Sequence, residues 1–357
     1  MASFEDIEKR FEEAQNALVL QASDLSLETI ASMVSSQSID VAPQFQRRER
    51  WDIFRQSALI ESFLLNIPVP PVYLSEEEFG KYSVIDGKQR ITAVHDYMRD
   101  KFQLSGVTRF PEVERLRFSQ LPETLKNALM VRPYIRAITI LRQSNKGTKF
   151  EVFHRLNSGG QPLNAQEVRN VIFRGPLNDL LLELSSEEFL RKQLKIRDSR
   201  TSAYRDMQDV EFVLRFLTLR ETWENFSGDF KRSMDNFMSR HQYATNEELD
   251  QYRASFQLSL AMCASIWGDN AFKRPEKKGW RDQTLAGMYD AQMVAATLLK
   301  PEEIQVAVQR RSDIIEMSRR LFEDPDFESA VRVATNTPAK LVLRVSDMLR
   351  VLKLDSK

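Results

Sequence analysis

The stretch Val84-Ile85-Asp86-Gly87-Lys88-Gln89-Arg90, continuing into Ile91-Thr92-Ala93-Val94, sets the reading of the fold. Ser83 to Ile85 reads as a short strand, and Gly87, which can take backbone angles that side chains resist, reads as a turn. Ile91, Val94 and Met98 then recur at helical spacing. A junction of this kind aims backbone N–H groups and a partly positive helix end at one point, where anions are favoured. Arg90 adds a planar fork of donors suited to phosphate or carboxylate. The same residues also satisfy an ordinary strand–turn–helix connection in which Asp86 caps the helix.

The composition around this stretch is that of a folded, water-facing chain. Its 357 residues are 42% apolar and 29% charged, enough for a sizeable core and about two domains. Lys plus Arg and Asp plus Glu stand at 51 each, so no global field points to nucleic acid or a membrane surface. The single cysteine, Cys263, lies in an apolar run with Leu258, Ala261, Met262 and Ile266. It reads as a small packed hydrophobe in a reducing compartment. The N-terminal residues Phe4 to Arg10 are too charged for a signal peptide, and no run reaches the length of a membrane span. The expected location is cytoplasmic.

In chain order, residues 4–22 and Leu27 to Val34 read as helices, the second started by Ser26 with Thr29 three positions on. Val41 to Trp51 is extended, basic and aromatic, with Arg47, Arg48 and Arg50 close together. A helix then starts at Asp52 and carries Leu59, Ile60, Phe63 and Leu64, until Pro68, Pro70 and Pro71 stop it. Val69 to Leu74 reads as an edge or entry strand, because proline cannot donate to a central ladder. Tyr73 and Val84 should lie on neighbouring antiparallel strands. Tyr134 to Leu141 is a further strand, residues 145–156 a helix, and Asn164 with Glu167 a capping-box start for the next. Everything from about Glu187 is helical by pattern, and Glu211 and Arg215, four apart, read as an ion pair. The fold class is therefore α+β: a mixed domain over 1–185 with N-terminal helices, followed by an all-helical domain over 186–357.

Three polar clusters in the first domain join Arg and amide side chains to a bend: Gln46-Arg47-Arg48-Glu49-Arg50-Trp51, Asp86 to Arg90, and Arg155-Leu156-Asn157-Ser158-Gly159-Gly160. Converged, they would supply N–H donors, guanidinium groups and one carboxylate. That is the inventory for a polyphosphate, with Asp86 on Mg²⁺ or a water. Nothing fits G-x-x-x-x-G-K-[ST], and no G-x-G-x-x-G follows a strand. His95, His154 and His241 are scattered without ligand spacing. A separate basic run, Arg191, Lys192, Lys195, Arg197, Arg200 and Arg205 with Tyr204, suits either a nucleic-acid backbone or a solvated helical face, since Glu187, Glu188, Asp198 and Asp206 partly neutralise it.

Taken together, Gln44-Phe45-Gln46-Arg47, Ile67-Pro68-Val69-Pro70-Pro71, Ile85-Asp86-Gly87-Lys88-Gln89-Arg90 and Phe153-His154-Arg155-Leu156-Asn157-Ser158-Gly159-Gly160 resemble the N-terminal domain family of GmrSD-type modification-dependent restriction systems. The family pattern runs Y-Q-R, I-P-x-P-P, D-G-Q-Q-R and F-x-R-L-N-S-G-G, in the same order, and Asp206 to Arg215 resembles the segment that follows. The resemblance implies a ParB/sulfiredoxin-like fold that binds, and in some members hydrolyses, a nucleoside triphosphate with Mg²⁺, in defence against phage or foreign DNA. Carried over by position, Asp86, Gln89 and Arg90 are the catalytic candidates, with Asp86 also on the metal. Gln46, Arg47, Gly87, Lys88, Arg155, Asn157, Ser158, Gly159 and Gly160 would hold the nucleotide. Phe45 stands for the usual Tyr and removes a hydroxyl; Lys88 stands for the first Gln and adds a charge.

Relatives often carry a His-containing nuclease domain, whereas the helical half here holds only His241. The resemblance therefore implies a regulatory or sensor subunit that acts with a separate effector or nuclease partner, with DNA and a second copy of the chain as further partners and no membrane. The competing expectation is a non-catalytic DNA-binding module using Arg48, Arg50, Arg191, Lys192, Lys195 and Arg197, or a protein-interaction module on the same fold.

Overall fold

The computed structural model describes residues 3–41, 51–145, 148–149, 152 and 164–355. It divides into two compact units, Met1–Asn164 and Ala165–Lys357. The first is built on a five-stranded mixed sheet and the second is helical, so the α+β class holds.

In the first unit the order is α1 (Phe4–Asn16), β1 (Leu20–Ser26), α2 (Leu27–Ser35), β2 (Ile39–Asp40), α3 (Ile53–Leu64), β3 (Val72–Glu78), β4 (Lys81–Asp86), α4 (Lys88–Met98), α5 (Glu123–Val131) and β5 (Tyr134–Ile140). The sheet runs β1-β5-β3-β4-β2. β1 and β5 are antiparallel, β5 and β3 parallel, β3 and β4 antiparallel, and β4 and β2 parallel. The core gathers Leu27 and Ile30 of α2, Ile60 and Phe63 of α3, Val72 and Leu74 of β3, Val84 of β4, and Ile91, Val94 and Tyr97 of α4. These apolar positions fall at helical spacing on the helices and at alternate positions on the strands, which is why they share one interior.

Local signals explain most element starts. Ser26 Oγ accepts from Thr29 N at 3.2 Å, and Asp52 Oδ1 from Arg55 N at 2.8 Å, each satisfying an orphan donor of the helix it opens. Two expectations fail. The helix expected over 4–22 stops at Asn16, and Leu20–Ser26 is a strand instead. Its residues carry little alternation, and its pairing with β5, Leu20 opposite Ile140 through Ser26 opposite Tyr134, decides the outcome. Of the edge and entry readings of Val69 to Leu74, the edge one fails: the strand is central, and Pro68, Pro70 and Pro71 all precede Val72 at its entry, so no ladder donor is lost. Tyr73 and Val84 do sit on adjacent antiparallel strands, with Leu74 opposite Val84, Tyr73 opposite Asp86 and an irregularity between.

The second unit begins at Ala165, earlier than the composition change near residue 185. Helices Ala165–Ile172 and Pro176–Leu184 belong to it through polar contacts. Arg169 Nε donates to Asp235 Oδ1 at 2.7 Å, and Gln242 Nε2 to Arg174 O at 2.7 Å. The described residues after 165 form helices throughout, with one isolated bridge, Pro275 to Trp280. Cys263 is fully buried beside Met293, 3.9 Å between sulfurs, and burial pushes its thiol well up. The pair expected between Glu211 and Arg215 is not the one formed. Arg215 grips Asp290 with two bonds of 2.6 Å, while Glu211 lies 3.7 Å from Arg169, because the buried carboxylate on the neighbouring helix offers a bidentate fit. No helix among the described residues is long and apolar enough to cross a membrane.

Candidate functional site

β4 delivers Asp86 to the end of the sheet through three buried residues, Ser83, Val84 and Ile85. Gly87 follows in the left-handed region, φ +93° and ψ 12°, and is itself the N-cap of α4. That conformation is the reason for glycine here, since a Cβ would also meet Val72 Cγ1 at 2.4 Å. Asp86 therefore precedes the cap, and no side-chain cap bond is made at this helix start.

Its carboxylate engages the helix differently. Arg90 Nη2 donates to Asp86 Oδ2 at 2.9 Å and to Pro71 O at 3.0 Å. The arginine side chain is 16% exposed and the aspartate 41%, so the guanidinium is held from below and the carboxylate stands at the surface. Arg90 Nε is buried without an acceptor among the described residues, and Asp86 Oδ1 receives no hydrogen bond among them. A buried donor without a partner is costly. Here one arginine N–H and one carboxylate oxygen are left on the same turn of chain.

Gln89 has a visible task. Its Oε1 accepts from Trp51 N at 3.0 Å, and Trp51 O accepts from Gln56 Nε2 at 2.7 Å. Trp51 is where the basic stretch Gln46 to Arg50 joins the described chain, and it is tied on both sides to the elements beside the Asp86–Arg90 turn. Lys88 is the first, half-buried residue of α4. Gln46, Arg47, Arg48, Arg50, Arg155, Asn157, Ser158, Gly159 and Gly160 lie outside the described residues.

Sequence reasoning passed over Pro71 O as the acceptor that aims Arg90, and Val72 as the reason for the tight turn. The Pro70-Pro71 pair carried the only hint, since a carbonyl there has no helical donor to satisfy it. A magnesium ion bound through one or two carboxylates and the phosphates of its nucleotide fits a lone surface carboxylate such as Asp86. Among the described residues no group of three or more His, Cys, Asp or Glu could form an all-protein cage.

The basic run of the helical unit takes shape as one wall of a separate cavity, with Arg191, Lys192, Lys195 and Arg197 all lining it. Most of its charge meets acid: Lys192 Nζ is 2.6 Å from Asp269 Oδ1, Lys195 Nζ 2.8 Å from Asp282 Oδ2, and Arg191 Nη2 3.8 Å from buried Asp209. The sequence neighbours Glu187, Glu188, Asp198 and Asp206 were the visible counter-charges; Asp269 and Asp282 were not.

The family model of the GmrSD restriction endonuclease N-terminal domain matches residues 30–174, from α2 past β5. No curated protein and no solved structure matches the chain.

Proposed function

We propose that this chain, residues 30–174 of which match the GmrSD restriction endonuclease N-terminal domain, binds a nucleoside triphosphate at the Asp86–Arg90 turn and hydrolyses it. Nucleotide state would control a separate nuclease effector in defence against phage or foreign DNA, and the sheet and its helices would take the ParB/sulfiredoxin-like arrangement. The observation that carries the reading is the aimed arginine. Asp86 and Pro71 O fix Arg90 Nη2, which leaves Nη1 for phosphate oxygens without a search through rotamers. Mg²⁺, when bound with the nucleotide, would neutralise phosphate charge, and Asp86 would hold it or orient the attacking water. Gln89 holds Trp51, the residue that follows the Gln46 to Arg50 stretch in sequence, and the family resemblance gives nucleotide-holding roles to Gln46, Arg47 and Arg155 to Gly160.

Calorimetric titration with nucleoside triphosphate and Mg²⁺ tests this. Native chain is expected to bind, and Arg90→Ala to weaken binding roughly 10- to 100-fold, the size of one or two charge-assisted hydrogen bonds. Asp86→Ala is expected to lose the Mg²⁺ dependence. A well-folded native chain that binds no nucleotide, or Arg90→Ala binding as tightly as native, would remove the reading.

A further inference from the structure

The cavity in the helical unit encloses about 800 Å³ between the segment that follows helix Glu188–Gln193 and the loop carrying Asp269 to Asp282. Arg191, Lys192, Lys195, Arg197 and Lys273 line it, against Glu188, Asp198, Asp269 and Asp282. Five cations against four carboxylates leave one net positive charge. The balance is held at the surface rather than in depth. Lys192 and Asp269 are 60% and 72% exposed, and Asp282 receives both Lys195 and Lys273 at 2.8 Å while 72% exposed. The Lys192–Asp269 pair, exposed on both sides, contributes little net free energy, so a phosphate can replace the carboxylate on Lys192 at small cost. Hydrogen bonds from Lys195 and then Lys273 hold the Asp282 carboxyl down at about 2. Arg197 is exposed and has no ion-pair partner among the described residues.

Gln193 makes this more than a charged surface. It lines the same cavity and is only 3% exposed. Its Oε1 is buried with no donor among the described residues, while Nε2 reaches Gly268 O at 3.5 Å. An amide oxygen removed from water without a donor leaves its desolvation uncompensated. The lysines and arginines call for acceptors; Gln193 calls for a donor. Inorganic phosphate answers only the first demand. A ligand that answers both carries anionic oxygens at one end and an N–H or O–H group at the other. Tyr204, whose ring lies 5.5 Å from the Arg191 guanidinium, adds an aromatic wall.

We propose that this cavity binds a nucleoside phosphate, its phosphate against Lys192, Arg197 and Arg191, and a base N–H or sugar O–H donated to Gln193 Oε1. The ligand is a free nucleotide or one nucleotide of a nucleic-acid strand; base stacking and backbone charge serve both. The site is separate from the Asp86–Arg90 turn and does not rest on the reading given for it.

The test uses the full chain with two probes: ATP followed by calorimetry, and a fluorescein-labelled 20-nucleotide single-stranded DNA followed by anisotropy. A Lys192→Ala/Arg197→Ala chain is expected to weaken binding of the ligand probe about tenfold or more, and Gln193→Leu, which keeps the side-chain volume, about fivefold. Arg90→Ala, which is expected to weaken the first site, is expected to leave this binding in place, which separates the two. ATP binding that persists in Arg90→Ala and weakens in the cavity variants identifies a free nucleotide. DNA binding with a steep salt slope that weakens in the same variants, while ATP does not compete, identifies a strand. Unchanged binding of both probes in folded cavity variants, or no binding of either probe by native chain, would overturn the proposal.

Discussion

Asp290→Ala is expected to destabilise the helical unit by about 3–5 kcal/mol, the cost of leaving buried charge without its partner. Asp290 lies on helix Ala286–Thr297 with its side chain at 0% exposure. Arg215 donates Nε to Oδ1 and Nη2 to Oδ2, both at 2.6 Å, and Arg344 donates Nη2 to Oδ2 at 2.6 Å. Arg344 is fully buried, with Nη1 on Ala330 O and Thr335 O, and burial pulls its guanidinium below the usual value. One carboxylate thus serves two guanidinium groups, drawn from helices 75 and 54 residues away in sequence. Alanine would strand both. Urea unfolding followed by circular dichroism reads the loss; Asp290→Asn, which keeps an acceptor but not the charge, is expected to fall between. A cost below about 1 kcal/mol would mean that water reaches these groups.

The same triad shows where reading by residue spacing stops. Val210, Val213, Leu214 and Leu217 stand at helical spacing and all are fully buried, and Thr337 followed by Pro338 is a local start signal for the last helix, Pro338–Leu352. Those signals are local, so they survive in the chain alone. Arg215 was assigned to Glu211 on the same grounds, yet its partner is Asp290, because a contact made by tertiary packing leaves no mark at short spacing. β1 failed for the same reason: its strand character comes from β5, more than a hundred residues on. At the candidate site, Asp86, Gly87 and Arg90 were legible as a strand–turn–helix junction. The carbonyl of Pro71 that aims Arg90, and the hold of Gln89 on Trp51, depend on which strands and helices meet. In the helical unit the basic run was visible while Gln193 was not, since nothing in a sequence marks an amide oxygen that folding will leave without a donor.

Gly87→Ala joins fold and site most directly, and is expected to destabilise the first unit by about 2–5 kcal/mol, from left-handed backbone strain and overpacking together. At φ +93° any side chain is strained. The added Cβ would stand 2.4 Å from Val72 Cγ1 and 2.9 Å from Val72 Cβ, and Val72 is 1% exposed in the middle strand, so it has nowhere to retreat. The two contributions can be separated. Adding Val72→Ala removes the 2.4 Å contact with Cγ1 but leaves the 2.9 Å contact with Cβ and the strain, so the double variant is expected to show a favourable coupling of about 0.5–3 kcal/mol relative to the sum of its parts. The third contact decides what the substitution does to function. The same Cβ would lie 3.1 Å from Arg90 Nη2, the atom held by Asp86 and Pro71 O. Shifting it by a few tenths of an ångström would loosen its hold on both acceptors. Nucleotide affinity measured well below the unfolding midpoint should therefore fall in Gly87→Ala, and should stay low in the double variant if backbone strain alone displaces the turn. Native-like affinity and stability in Gly87→Ala would show that neither the turn nor Arg90 depends on a bare glycine at this position.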